Sequence, residues 1–166
     1  MATLIAIPIL GALLILQTAI LSRFPLLHGS ADLVMLAVIA WALQKRVQTA
    51  WQWGIIGGLL VGVVSGLPFV ATLAIYLLAV LAALTLRKRV WQAPILAMFI
   101  ATFGVTLLAN FISIVAVRLT SASLPLLQTL NVITLPSVIL NLVLAIPTFY
   151  LLADLAKALY PEALEA

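Results

Sequence analysis

The sequence predicts an all-α, polytopic transmembrane bundle of about six helices, forming a single integral membrane domain over residues 1–166. Two compositional facts and one spacing predict it. Apolar residues make up 66% of the chain and charged residues only 7%, whereas soluble domains carry about 45–50% and about 25%. Twelve Lys, Arg, Asp and Glu side chains cannot cover the surface of a soluble fold of this size, which excludes a soluble enzyme. The third observation is that charges are separated by apolar intervals long enough to cross a hydrocarbon core of about 30 Å, which takes about 20 helical residues. The net charge of +4 resides in short clusters at the edges of these intervals. That is a topological pattern and not a nucleic-acid-binding surface.

The first crossing runs over residues 3–21 and ends before Arg23, the first charge. It lacks a basic n-region and is expected to be a retained helix, with Pro8 tolerated near its start. A loop containing Arg23, Pro25 and His28 follows. The second span, over residues 30–44, is short; Ser30 can cap it and Asp32 lies against the positive end of its dipole. Forty uncharged residues separate Arg46 from Arg87, enough for two crossings. The turn signal Ser65-Gly66-Leu67-Pro68 divides them into residues 53–67 and 69–86. The fifth crossing is expected over residues 94–117. The polar-broken stretch from Leu119 to Thr134 lies at the interface, and a last crossing runs over residues 136–153.

Six of the basic residues, Lys45, Arg46, Arg87, Lys88, Arg89 and Lys157, fall on one side of this arrangement, against Arg23 and Arg118 on the other. The excess predicts that both termini are cytoplasmic. Trp41, Trp51, Trp53 and Trp91 flank the basic clusters and are expected as interfacial anchors on that face.

Four glycines, Gly54, Gly58, Gly62 and Gly66, recur at four-residue spacing in the third helix. Such a stripe lets a second backbone approach closely, either another helix of this bundle or one from a partner. The polar residues of the spans concentrate toward the end opposite the basic clusters. Gln17, Arg23, Asp32, Asn110 and Asn141 form the candidate outer cluster, with Ser65 and Thr72 at the same level. Thr102, Thr106, Asn110 and Ser113 make a stripe that can face Ser137 and Asn141. These groups either hold the helices together or line an outward recess.

No charge lies in the middle of a span, which argues against ion-coupled transport and voltage sensing. With no cysteine and one histidine there is no thiolate chemistry, and His28 with Asp32 lacks a nucleophile or metal set. The glycines of residues 54–66 lack the Gly-Lys-Ser/Thr ending of a phosphate loop. No catalytic, metal or cofactor residues are assigned. Asp154, Glu162 and Glu165 with Lys157 read as a solvated tail.

An ordered set of motifs resembles the MreD family of rod-shape-determining membrane proteins over about residues 10 to 160. It comprises Arg23-Phe24-Pro25, Ala31-Asp32-Leu33-Val34-Met35-Leu36, Trp41, Lys45-Arg46, the Gly-Leu-Leu-Val-Gly-Val-Val-Ser-Gly stretch from 58 to 66, the basic turn at 87 to 89, and Asn141 with Pro147. The chain departs from the family's pattern at Ala31, where Pro is frequent, at Gly62, where an acid is frequent, and at Val70, where a further Gly is frequent. The resemblance implies a non-enzymatic scaffold of the bacterial inner membrane that binds the bitopic protein MreC directly, in a wider complex with MreB, RodA and a class B penicillin-binding transpeptidase. It also implies a shape similar to the substrate-binding S components of energy-coupling-factor vitamin transporters. An S component, with the outer recess as vitamin site and the small-residue face as docking surface, is the alternative reading; a scaffold without ligand is the third.

Overall fold

A computed structural model describes residues 2–19, 31–90, 92–120 and 133–161. Among them the chain is all-helical: α1 (Ala2–Ala19), α2 (Leu33–Leu43), α3 (Ala50–Val64), α4 (Phe69–Arg89), α5 (Pro94–Thr120) and α6 (Leu135–Leu159). Helices α1, α4, α5 and α6 are long and apolar enough to cross a membrane, while α2 and α3 are shorter apolar helices. Large hydrophobic side chains are exposed on the outside, among them Leu4, Val63, Val70, Phe111, Val143 and Leu151. An exterior of this kind suits a helical membrane bundle solvated by lipid. Arg23, His28, Trp91, Glu162, Glu165 and most of the expected interfacial stretch lie outside the described residues.

The centre of the bundle is α2. Every one of its eleven residues is buried, and all five other helices touch it. This corrects the expectation of a fifteen-residue span: the helix is about 16 Å long, too short to cross by itself. A helix apolar on every side is stable only when enclosed, and enclosure by its neighbours removes the need to meet both faces of the bilayer.

Helix α3 begins and ends three residues earlier than expected. Ser65 terminates it as the C-cap in extended conformation, and its Oγ accepts from the Leu67 backbone N–H at 3.0 Å. The turn chemistry of Ser65 to Pro68 therefore acts from its first residue. Helix α6 in turn continues to Leu159, six residues past its expected end.

Two tryptophans are not at a surface. Trp41 and Trp53 are fully buried and stack with ring centroids 4.2 Å apart and planes inclined by 15°. The connection between α2 and α3 is short, so the hairpin folds one indole onto the other. Both ring nitrogens donate: Trp41 Nε1 to Thr49 Oγ1 at 3.2 Å, and Trp53 Nε1 to the Ala2 carbonyl at 3.2 Å. Burial of an indole requires such a partner. Trp51 alone of the described tryptophans is exposed.

The glycine stripe is filled from within the chain. A Cβ at Gly54 would stand 2.5 Å from Val80 Cγ2, one at Gly58 3.0 Å from Leu73 Cδ1, and one at Gly62 2.8 Å from Phe69 Cδ2. All three contacts are to α4. Gly66 lies beyond the helix end and meets nothing within 4 Å. Gly57, outside the four-residue series, fits between Tyr76 and Val38. The close backbone approach that small residues allow is thus made by α3 and α4 of one molecule.

Candidate functional site

A helix buried in a low-dielectric interior must satisfy its terminal N–H and C=O groups with side chains. For α2 these come from across the whole chain. At its N-terminus Asp32 is the N-cap, and its Oδ1 accepts from the Met35 backbone N–H at 2.9 Å. Gln17 on α1 accepts from the Leu33 N–H at 2.9 Å and from that of Val34 at 3.5 Å. Asn141 on α6 accepts from the Asp32 N–H at 2.9 Å and donates through Nδ2 to Thr106 Oγ1 on α5 at 3.1 Å. The Tyr76 hydroxyl on α4 reaches both carboxylate oxygens of Asp32, at 2.8 and 3.0 Å. Side chains from α1, α4 and α6 therefore meet at the start of α2, with α5 joined through Asn141, and the Asp32 carboxylate suits the positive end of the α2 dipole.

Around this network lies a recess of about 220 Å³. Ser65 and Thr72, whose hydroxyl oxygens are 3.4 Å apart, border it with Asn110, Ser113 and Ser137. Several of these side chains spend a donor on their own helix: Asn110 Nδ2 on the Thr106 carbonyl at 2.9 Å, Ser113 Oγ on that of Ala109 at 2.7 Å, and Ser137 Oγ on that of Ile133 at 2.8 Å.

The depth of the recess follows from helix rise. Tyr76 is eleven residues before Arg87 on α4, and Thr106 is twelve after Pro94 on α5, so both place the Asp32 level about 16–18 Å from the basic end. Phe69, the first residue of α4, is a further 10 Å or so along. The network thus lies part-way along the long apolar helices, nearer the end opposite the basic residues.

Of the expected cluster, the structure joins Gln17, Asp32 and Asn141 through direct bonds to the start of α2. Asn110 borders the same recess but bonds its own helix. Arg23 falls outside the described residues. The facing stripes on α5 and α6 meet through Thr106 and Asn141. Tyr76, outside the expected cluster, is a further member, and its 44-residue separation from Asp32 carries no periodic signal.

At the opposite end of α2, Arg87 at the end of α4 donates through Nη1 to the carbonyls of Gln44 at 2.9 Å and Val47 at 3.1 Å. A cation at a helix C-terminus complements the dipole there. Arg46 Nη1 donates to the Tyr160 carbonyl at 3.3 Å.

No protein-family model, curated protein or solved structure matches the chain.

Proposed function

We propose that this protein is a non-enzymatic scaffold of the bacterial cytoplasmic membrane, similar to MreD, that holds the single transmembrane helix and membrane-proximal segment of MreC. On this reading it helps position peptidoglycan synthesis within a complex that includes MreB, RodA and a class B penicillin-binding transpeptidase, with both termini in the cytoplasm. What supports it is that the scattered motifs carrying the resemblance converge on α2. Asp32 opens that helix, Asn141 bonds the Asp32 N–H, Lys45 and Arg46 follow its end, and Arg87 of the basic turn closes it. Residues fixed in this way make a rigid post, and a rigid post suits a protein whose role is positional.

The glycine stripe is occupied by α4, so MreC is met on the outer apolar surface instead. Site-specific photocrosslinkers at Ile15, Val63, Phe111 and Ile139, all exposed, test this in native membranes. Capture of one bitopic chain from neighbouring positions, with its copurification, is the expected result. Absence of such a chain from every position contradicts the proposal. The S-component alternative has less in its favour. Its recess is below the roughly 300–1,000 Å³ of ligand pockets, and its carboxylate, amides and tyrosine are largely spent on one another. Copurification of a small molecule together with an ATPase module would favour it.

A further inference from the structure

Closing α2 leaves one charge of the outer recess unmatched. Asp32 is the only charged residue among the described residues that line this space of about 220 Å³, and its carboxylate pairs with no cation among them. Its oxygens accept from the Met35 N–H and the Tyr76 hydroxyl, whereas a carboxylate offers about four acceptor sites. Neighbouring groups add oxygen to the same space. Ser113 Oγ and Asn110 Nδ2 donate to their own helix, which leaves the Ser113 oxygen and Asn110 Oδ1 with lone pairs to offer. Asp32, Asn110 and Ser113 are each half-buried. We propose that the recess is a binding site for a small organic monocation, a primary ammonium on a short alkyl stem, with its N–H groups on Asp32 and the Asn110 and Ser113 oxygens and its stem against the apolar wall.

The sign of the ligand follows from what is already taken. A helix N-terminus by itself favours an anion, but here the Asp32 N–H is held by Asn141, those of Leu33 and Val34 by Gln17, and that of Met35 by Asp32. What remains is a carboxylate beside low-dielectric walls, where it attracts a cation more strongly than in water and where a charge without a partner is costly. Its valence follows from the single acid: one positive charge balances it, and a divalent ion leaves an excess. No group of three His, Cys, Asp or Glu side chains suited to a metal ion exists among the described residues. An ammonium brings three donors to a set of acceptors. The stem is set by Val61, Leu67, Ile75 and Ala109 in the wall, which reward buried alkyl carbon and give a hydrated sodium ion nothing. The volume is below the roughly 300–1,000 Å³ of ligand pockets, which restricts the ligand to a few heavy atoms. The site is independent of the scaffold reading, which uses the outer apolar surface.

The test titrates the full chain in neutral detergent at neutral pH, by calorimetry, with n-butylammonium, 1-butanol, n-butyltrimethylammonium or sodium chloride. Saturable binding of n-butylammonium is expected, at least about tenfold tighter than that of 1-butanol or the trimethylated amine, as loss of hydrogen bonds to a charged group implies. Asp32→Asn keeps a capping oxygen for the Met35 N–H and removes only the charge; it is expected to weaken binding at least about tenfold. Asn110→Ala and Ser113→Ala, whose side chains bond only their own helix, are expected to weaken it about three- to tenfold each at parental helical content and melting temperature. If Asp32→Asn unfolds the chain, these two variants decide. Displacement of n-butylammonium by phosphatidylethanolamine but not phosphatidylcholine assigns the ammonium to a lipid headgroup, and displacement by neither assigns it to a soluble amine; both support the site. Equal affinity for n-butylammonium and 1-butanol overturns it, as does parental affinity in the folded variants. Sodium bound as tightly as n-butylammonium overturns the organic assignment.

Discussion

The two ends of α2 solve the same problem with opposite means. Its N-terminus is closed by its own Asp32 carboxylate, an amide from each of α1 and α6, and a phenol from α4 that bonds the carboxylate. Its C-terminal turn is closed by one guanidinium, where cations gather around a cavity with apolar walls. At the first end polar groups answer one another and the recess is small. At the second, Arg87 donates to two neutral carbonyls. The difference teaches that one helix can be closed at its start by a network of side chains from several helices and at its end by a single cation complementing the dipole.

Substitutions can break this contrast. The largest effect is expected for Asp32→Ala, which removes the N-cap and strands both the Met35 N–H and the Tyr76 hydroxyl. A loss of about 3 kcal/mol of unfolding free energy in micelles is expected, and a loss below about 1 kcal/mol means that the network does not hold α2. Arg87→Gln removes the charge-assisted bonds to Gln44 and Val47 and is expected to cost about 2 kcal/mol. A cost above that of Asp32→Ala would invert the comparison. Tyr76→Phe deletes one hydroxyl while keeping the ring that packs on Gly57, for about 1 kcal/mol, read from the same unfolding curves. The smallest change is expected for Asn110→Ala. Its amide bonds only its own helix, so stability stays within about 0.5 kcal/mol of the parent; a larger loss would make Asn110 a member of the network.

Much of this arrangement is legible in the chain. The spacing between charges, with the turn signal at Ser65 to Pro68, locates all six helices, because lipid admits few alternatives to uninterrupted apolar helix. Gln17, Asp32 and Asn141 are legible as a cluster because their depths, counted from the helix ends, coincide. Two features are not legible for a stated reason. The shortness of α2 follows from its enclosure, and an apolar segment with no polar side gives no sign of whether lipid or protein surrounds it. Trp41 and Trp53 satisfy the composition rule for interfacial anchors equally well whether they face headgroups or each other; only the short hairpin between α2 and α3 decides. The glycine series is ambiguous for a related reason, since close packing looks the same whichever chain supplies the second helix.

Enclosure of α2 also has a consequence for biogenesis. During synthesis Gln17 and Asp32 are at hand to answer the Leu33, Val34 and Met35 N–H groups, whereas the Asp32 N–H and the Gln44 and Val47 carbonyls wait for Asn141 and Arg87. The sixth helix is thus the one that completes the start of the second.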